Sequence, residues 1–339
     1  MTKVAPITAS QGIRLLAQGI RNYLTKQPLV VSYEVTLSCN CNCRHCDLGG
    51  VIKDEKQIKP EDYASITRRL NPVAVQISGG EPLLRKDLAS IVRAIKQPHG
   101  TPYVILVTNG VLLNEHNYLS LRQAGVNQFS VSLDFPDERH DEFRRHAGLY
   151  KHLEQWIPRL AKLGYRDIIL NTAITRANVR ELASLARKAI EWDVSISYSA
   201  YTPLRTGNTD YCISDKEDLN VLRRQIEELI KLSKQSNHIA NPEPVLLSTL
   251  KFFTQGHLPR CKAGIRFLVV MPDGSLVPCS LHRIKYSSQK EMIEKFSSFN
   301  RCGGCYVAIR SYSEPQILGQ LRNVAYYCRR FLSQKGQVC

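Results

Sequence analysis

The sequence predicts an α/β fold: a partial (β/α)6 barrel, then a helical connector, then a small cysteine-rich β-hairpin subdomain. Two observations support the barrel. Short strands rich in β-branched residues alternate with amphipathic helices between residues 30 and 203. Successive strands begin about 33 residues apart, which is the size of a βαβ unit. Six such units fall short of the eight that close a full barrel. The hairpin is indicated by Pro272, Asp273 and Gly274, a turn signal between short apolar runs.

The first element is an amphipathic helix over residues 11–26. Its apolar face carries Ile13, Leu16, Ile20 and Leu24, and its other face carries Arg14, Arg21 and Lys26. Packing of the apolar face on the body of the protein is the simpler interpretation. Contact with a membrane surface or a lipid substrate is the alternative.

Six strands and five helices then alternate along the chain. We expect strands over residues 30–37, 73–78, 103–108, 127–134, 166–175 and 194–203. We expect the helices between them over residues 61–70, 86–96, 115–125, 150–164 and 178–192. Because these strands are short and apolar on both faces, we expect a parallel sheet covered by the helices.

The alternation stops near residue 215. Residues 215–235 and 241–256 predict two helices that form a connector, and residues 261–279 return to short strands around the turn. A basic segment over residues 314–334 is weakly helical. We therefore expect five regions: an N-terminal helix, the barrel, the connector, the cysteine-rich subdomain and a basic helical tail, over 1–28, 29–212, 213–257, 258–310 and 311–339.

Composition is that of a globular protein, with 43% hydrophobic and 22% charged residues. No stretch reaches the roughly 20 apolar residues that span a bilayer, and the N-terminal sequence lacks the apolar core of a signal peptide. We therefore expect a cytoplasmic protein with no transmembrane segment. The net charge of +16 is compatible with nucleic acid, a membrane surface or an acidic protein partner. Nucleic acid is not favoured, because the basic residues form no cluster interleaved with aromatic residues.

The chain has 11 cysteines, which in a reducing compartment are more often metal ligands or redox groups than disulfides. Cys39, Cys43 and Cys46 follow the first strand with the spacing C-x3-C-x2-C. Zinc would need a fourth ligand, and Cys41 is awkwardly placed for a closed cage in so short a loop. Three ligands instead suit an iron–sulfur cluster whose remaining iron is open to an external ligand.

Further polar groups follow other strands, where parallel barrels place their active sites. Gly79, Gly80, Glu81 and Pro82 follow the second strand, and the Glu81 carboxylate could accept from an ammonium group. Asn109 follows the third strand, and Ser132 and Asp134 lie in the fourth. Short hydroxyl, amide and carboxyl groups at such positions suit recognition of ribose and amino-acid groups.

Together, and in this order, these motifs resemble the radical S-adenosylmethionine (SAM) superfamily over about residues 28–205. The resemblance implies that Cys39, Cys43 and Cys46 hold a 4Fe-4S cluster whose open iron is chelated by SAM. It implies a SAM site built from the GGEP segment and strand-end residues, namely His45, Gly79, Gly80, Glu81, Pro82, Asn109, Ser132, Asp134, Asn171 and Ala200. An electron from a flavodoxin or ferredoxin would cleave SAM, and the 5′-deoxyadenosyl radical would take a hydrogen atom from a substrate.

A second cysteine set lies late in the chain. Cys261 and Cys279 flank Gly274 as C-x12-G-x4-C, and Cys302 and Cys305 form C-x2-C. By spacing alone, a zinc ribbon fits as well as a cluster. Beside the core, the set resembles the twitch subdomain, a shortened relative of SPASM domains. That resemblance implies one auxiliary 4Fe-4S cluster ligated by all four cysteines and used for electron transfer.

The remaining cysteines are expected to have no ligand role. The further cysteine run of a full SPASM domain is missing after Cys305, so a second auxiliary cluster is not expected. Cys41 and Cys212 are interpreted as plain small residues. Cys328 and Cys339 could exchange as ligands, which leaves one alternative open.

The substrate is left open by the sequence. A small molecule, a lipid or a peptide could be modified; a peptide maturase or a tRNA-modifying enzyme is the alternative. A remote alternative is a non-enzymatic zinc protein that binds nucleic acid. Arg85 and Arg144 are candidates to pair with a substrate carboxylate or phosphate. No residue stands out as a catalytic acid or base.

Overall fold

The computed structural model describes residues 8–97, 100–259 and 261–313. Its centre is one sheet of eight strands in the order β6-β5-β4-β3-β2-β1-β7-β8. The strands in chain order are β1 Val30–Thr36, β2 Ala74–Gly79, β3 Tyr103–Thr108, β4 Gln128–Ser132, β5 Ile168–Ile174, β6 Ser195–Ala200, β7 Phe267–Val270 and β8 Leu276–Val277. The first six pair in parallel with their neighbours, as the alternating pattern predicts.

Helices connect the strands and cover the outside of the sheet. The helices in chain order are α1 Ala9–Thr25, α2 Pro60–Leu70, α3 Leu88–Ile95, α4 Glu115–Ala124, α5 Arg139–Arg144, α6 Leu149–Lys162, α7 Leu182–Glu191, α8 Lys216–Gln235, α9 Glu243–Gln255, α10 Gln289–Met292 and α11 Ala308–Ser313. The two connector helices, α8 and α9, are confirmed. The short α5 was not expected from the sequence. In the described part of the chain, every helix is too short or too polar to cross a membrane.

The late hairpin joins the main sheet. β7 pairs in parallel with β1, from Val30 opposite Phe267 to Tyr33 opposite Val270. β8 turns back antiparallel to β7. Gly274 takes a left-handed φ of +84° in the turn between them, a conformation that favours glycine. The cysteine-rich segment therefore extends the barrel by two strands, so the boundary we placed near residue 258 does not separate two sheets.

The inward face of the strands is polar, which corrects the expectation of strands that are apolar on both faces. The residues that project into the barrel include Ser32, Gln76, Ser78, Asn171 and Ser199. The outward face carries the apolar side chains that pack under the helices. Tyr33 is an example, fully buried with its hydroxyl 2.6 Å from Thr67 Oγ1 of α2. The core is thus a layer between sheet and helices, and the barrel interior is left for polar contacts.

Helix α1 also differs from the simpler expectation. Ile13, Ile20 and Leu24 are exposed, at 69%, 39% and 70% of their surface, rather than packed on the body. The helix is attached through polar side chains instead, among them Gln18 and Asn22. The basic tail over 314–334 and Cys328 and Cys339 lie outside the described residues.

Candidate functional site

The first cysteine set (Cys39, Cys43 and Cys46) lies in the loop that leaves the carboxyl end of β1. A bridge from Cys39 N to Gly50 O, 2.8 Å long, closes this loop on itself. A hydrogen bond from Arg44 N to Phe143 O, 3.2 Å, ties the loop to α5. Cys39 and Cys43 are buried, and Cys46 is half-buried. The loop is thus held at the end of the barrel where parallel α/β folds bind ligands.

Each thiol of this set accepts N–H groups. Cys39 Sγ lies 3.5 Å from Cys41 N and 3.8 Å from Asn109 Nδ2. Cys46 Sγ lies 3.4 Å from Leu48 N. Cys43 Sγ lies 3.7 Å from Arg144 Nη1. N–H donors of this kind stabilise thiolates and tune iron–sulfur clusters, so the donor set fits a cluster.

Cys41 plays a different part from its neighbours. Its hydrogen bond to Cys39 lowers the pKa of Cys39 to about 6, and its hydrogen bond to Cys43 lowers the pKa of Cys43 to about 7. The same two contacts raise the pKa of Cys41 itself. The Cys41 thiol thus lies between the thiols of Cys39 and Cys43, and its place outside the ligand set stays a prediction. Burial raises the pKa of Cys46.

The GGEP segment folds tightly against the first cysteine loop. A Cβ on Gly79 would lie 2.1 Å from Thr36 O, and one on Gly80 would lie 2.0 Å from Ser38 O. Only glycine allows this approach. Pro82 is buried and begins a short 3-10 helix, Pro82–Leu84. The two strand ends are therefore locked side by side.

The Glu81 carboxylate is fully buried and already has three donors. Thr108 Oγ1 lies at 2.8 Å, Asn109 N at 2.7 Å and Leu83 N at 3.0 Å. Burial raises its pKa to about 7 in spite of these hydrogen bonds. The expectation that this carboxylate receives an ammonium group does not match its geometry. It joins the ends of β2 and β3 instead.

Asp134 and Arg144 form a buried ion pair next to the first cysteine set. Arg144 Nε lies 2.7 Å from Asp134 Oδ2, and Ala173 N donates to Oδ1 at 3.1 Å. Burial acts to raise the pKa of Asp134, but the charge and hydrogen bond of Arg144, together with the neighbouring His45 and His140, lower it below its usual range. Both side chains were expected to contact ligands. Both carboxylate oxygens of Asp134 accept hydrogen bonds from protein groups instead. Arg144 lies between Asp134 and Cys43 and donates to both.

Two histidines flank this pair. His45 stacks on Phe143 with ring centroids 4.6 Å apart, and its buried Nδ1 has no hydrogen-bond partner among the residues that the structure describes. Burial, assisted by the charge of Arg144, lowers the pKa of His45 to about 4. His140, which the sequence analysis did not identify, accepts a hydrogen bond from Asp134 N at 3.2 Å. The His45 ring is thus neutral and oriented; its predicted contact with adenine stays a prediction.

The remaining predicted residues divide between the end of the barrel and its interior. Asn109 donates to Asn40 Oδ1 at 2.7 Å. Ser132 of β4 is buried opposite Asn171 of β5. Asn171 lines the barrel cavity described below. Ala200 is buried at the end of β6.

Arg85 is held by the protein rather than left free. It forms an ion pair with Asp87 at 2.6 Å and donates to the carbonyls of Val35 and Ile58 at 3.0 and 3.2 Å. These contacts fix the strand ends. Arg85 is therefore a weaker candidate for substrate binding than its sequence position indicated.

The second cysteine set (Cys261, Cys279, Cys302 and Cys305) lines one cavity of about 260 Å³, which we call the auxiliary cavity. Cys261 lies before β7, and Cys279 follows β8, which runs back beside β7. Cys261 and Cys279 therefore lie toward the amino end of β7. Thr202, just past the carboxyl end of β6, donates through Oγ1 to Gly304 O of the C-x2-C segment at 2.8 Å, so the set spans the gap between β6 and the β7–β8 hairpin. Within the described residues, no three His, Cys, Asp or Glu side chains are grouped for a single metal ion. Four thiols around one cavity fit a cluster that is larger than an ion.

The C-x2-C segment, residues 302–305, packs closely against the backbone at Leu258. A Cβ on Gly303 would lie 2.7 Å from Leu258 O. Arg310 is fully buried and donates to Cys305 O at 2.6 Å and to Leu258 O at 2.7 Å. Burial raises the pKa of Cys279 to about 11. The backbone of the C-x2-C segment is thus fixed by a buried cation, Arg310, that the sequence analysis did not identify.

Arg205 links the two sites and was also not expected. It forms an ion pair with Asp47, next to Cys46, and it lines the auxiliary cavity. In the described part of the chain, its buried Nη2 has no hydrogen-bond partner, and neither has Nε2 of His282 on the cavity wall. Arg205 follows β6, and its position after a barrel strand is the sequence signal from which it could have been identified.

Comparisons with known proteins agree with this geometry. A family model described as the radical SAM superfamily matches residues 33–189. The AdoMet-dependent heme synthase of Methanosarcina barkeri is 28% identical over 284 residues, 76% of this chain and 78% of that protein. A probable GTP 3′,8-cyclase of Sulfurisphaera tokodaii is 32% identical over 254 residues, 72% of this chain and 79% of that protein. Streptococcus suis SuiB, solved with S-adenosylmethionine bound, shares the fold, with a TM-score of 0.61 and 19% identity over 88% of this chain and 70% of that one.

Proposed function

Because this chain belongs to the radical SAM superfamily, we propose that it uses SAM to modify a small polar molecule inside the barrel. One observation carries the proposal. The second cysteine set lines the barrel cavity together with serine, glutamine and asparagine side chains, and Arg205 on the same cavity pairs with Asp47, which follows Cys46 of the first set. A substrate between the two cysteine sets would lie within reach of both sites.

The first cysteine set would hold a 4Fe-4S cluster through Cys39, Cys43 and Cys46. When bound, the cluster and SAM supply a radical that removes a hydrogen atom from the substrate. Asn109 and Arg144 donate to the cysteine sulfurs, and the Glu81 carboxylate holds the GGEP turn against the next strand. These contacts preorganise the site before the substrate arrives.

The second cysteine set would hold an auxiliary 4Fe-4S cluster. Four thiols would fill all its iron positions, so its proposed role is electron transfer rather than substrate ligation. Arg205, between the two sites, would favour negative charge at either one. A flavodoxin or ferredoxin is the proposed electron donor, for which the net charge of +16 is well suited.

The size and polarity of the substrate are inferred from the barrel. Ser32, Gln76, Ser78, Asn171 and Ser199 offer hydrogen bonds rather than an apolar wall. The two relatives reported above are named for a heme synthase and a GTP cyclase, and we carry over only that their substrates are small molecules. This favours a small polar molecule over the peptide and tRNA alternatives.

The test uses the full chain, reconstituted with iron and sulfide in the absence of oxygen. We expect about eight irons per chain, and 5′-deoxyadenosine after addition of dithionite and SAM. Cys43→Ala should retain about four irons and form no deoxyadenosine. Cys302→Ala should also lose about four irons but still cleave SAM.

Cys41→Ala is the matched control, because it removes a neighbouring thiol that we place outside the ligand set. It should keep the wild-type iron content. Zinc in place of iron, without SAM cleavage, would overturn the proposal. Loss of all iron in Cys43→Ala would overturn the assignment of two separate sites.

A further inference from the structure

We propose that the outward face of α1 is a docking surface for an anionic lipid membrane. Its apolar stripe (Ile13, Ala17, Ile20 and Leu24) is exposed in the structure. The spacing i, i+4, i+7 and i+11 places these four residues on one side of the helix. This proposal concerns where the protein binds and does not rest on the proposed function.

The helix is attached to the body by its opposite, polar side. Gln18 Nε2 donates to Asn71 O at 3.0 Å and to Pro72 O at 2.9 Å. Asn22 Nδ2 donates to Asn71 O at 2.7 Å and to Pro28 O at 2.9 Å. Asn22 is buried. An amphipathic helix on a globular core normally turns its apolar stripe inward. Here hydrogen bonds fix the reverse orientation.

The helix is also preformed. Thr8 caps its first turn with a capping box to Gln11, and Lys26 ends it in a left-handed conformation. At the end of α1, Arg266 Nη1 donates to Tyr23 O at 3.0 Å, and Arg266 Cζ lies 3.4 Å from the centroid of the Tyr23 ring. The apolar stripe therefore needs no folding step to meet a partner, which lowers the entropic cost of binding.

The basic residues beside the apolar stripe favour an anionic partner. Arg14 and Arg21 are exposed along one side of the stripe, and Lys26 follows at its end. An aliphatic stripe bordered by basic residues is the pattern of a helix that lies in the surface of an anionic bilayer. A second copy paired antiparallel to α1 would bring these arginines against each other. The segment 315–339 is no better a partner, because it has four basic and no acidic residues.

The position of α1 leaves the proposed site accessible. Asn71 and Pro72 precede β2, and Arg266 precedes β7, so α1 lies at the amino ends of the parallel strands. The first cysteine set lies at the carboxyl ends. A membrane bound at α1 would therefore cover the end of the barrel away from the first cysteine set.

The test is sedimentation of the full reconstituted chain with vesicles. The probes are vesicles of phosphatidylglycerol and phosphatidylcholine, vesicles of phosphatidylcholine alone, and low and high salt. We expect binding to the anionic vesicles at low salt, and about tenfold weaker binding at high salt or to neutral vesicles. The double variant Ile13→Asp and Leu24→Asp should lose binding by about tenfold or more.

Leu247→Asp is the matched control, because Leu247 is 48% exposed on α9, away from the stripe. It should bind as the wild type does. Thermal melting checks that each variant is folded. Equal binding by the stripe variant and the wild type, or no binding to anionic vesicles, would overturn the proposal. A dimer that the stripe variant abolishes without any vesicle binding would assign the face to a second copy. Binding only after deletion of residues 315–339 would assign it to that segment.

Discussion

The guanidinium of Arg205 forms an ion pair with the carboxylate of Asp47, the residue that follows Cys46. The same guanidinium lines the cavity of the second cysteine set, where its buried Nη2 has no hydrogen-bond partner within residues 8–97, 100–259 and 261–313. One side chain from the loop after β6 thus touches the surroundings of both cysteine sets. Its charge is placed to act on any anionic group held in the auxiliary cavity.

The first prediction concerns the charge of Arg205. A half-buried cation such as Arg205 favours the reduced, more negative state of a neighbouring cluster. We expect Arg205→Gln to lower the reduction potential of the auxiliary centre by about 60 mV, the one-electron equivalent of a tenfold change. Redox titration followed by electron paramagnetic resonance measures it. Arg205→Lys should recover part of the shift, and Arg224→Gln, at an exposed position on α8, should have none. An unchanged reduction potential in Arg205→Gln would mean that Arg205 forms its ion pair with Asp47 and does not influence the proposed auxiliary cluster.

The second prediction concerns Gly80. A Cβ there would lie 2.0 Å from Ser38 O, next to Cys39, and the backbone cannot yield without moving the cysteine loop. We expect Gly80→Ala to lower the free energy of unfolding by about 3 kcal/mol and to lose about four irons after reconstitution. Urea denaturation and an iron assay measure both.

Gly19→Ala is the control for that substitution. Its Cβ would meet only Val73 Cγ2, at an ordinary 3.9 Å. Because alanine is the better helix former, we expect Gly19→Ala to raise the stability by about 0.5 to 1 kcal/mol. Full iron content in Gly80→Ala would show that the cysteine loop tolerates the displacement.

Much of the fold could be predicted because its signals are local. Each strand is a short β-branched run, and each βα step has the length of a βαβ unit, so order and parallel pairing follow from the sequence. The cysteine spacings are local too. The inward polarity of Ser32 and Asn171 was visible as alternation along the strands, but the apolar residues between them obscured it.

The features that could not be predicted depend on contacts between distant parts of the chain. The pairing of β7 with β1 joins Val30 to Phe267, and no local pattern specifies it. The outward orientation of α1 depends on Gln18 meeting Asn71. Periodicity reveals which face of a helix is apolar, and it does not reveal which face is bound. In the same way, Arg85 and Arg144 looked free in the sequence because their partners are set by the tertiary fold.

The third prediction concerns acid sensitivity at His140. Burial lowers its pKa to about 3, whereas an unfolded histidine titrates near 6.5. Between these values the unfolded chain binds more protons, so stability falls as the pH falls below 6.5. We expect His140 to account for a loss of about 2 kcal/mol between pH 7 and pH 5. Urea denaturation at the two pH values measures it, and His140→Gln should show a shallower pH dependence by that amount. Equal pH dependence in both proteins would contradict the assignment.

The last prediction concerns Arg310, whose guanidinium joins the C-x2-C segment to the chain before Cys261. It is fully buried and donates to Cys305 O, Leu258 O and Pro259 O, at 2.6, 2.7 and 3.2 Å. Arg310→Met keeps much of the volume but leaves these carbonyls without their donor, which costs about 3 kcal/mol in the free energy of unfolding. We expect the variant to lose about four irons, those of the second cysteine set, and to retain SAM cleavage. Iron assay and deoxyadenosine formation measure the two sites separately, with Arg224→Met, at an exposed position on α8, as the control. Loss of SAM cleavage together with the iron would mean that Arg310 supports the whole barrel rather than the auxiliary cavity.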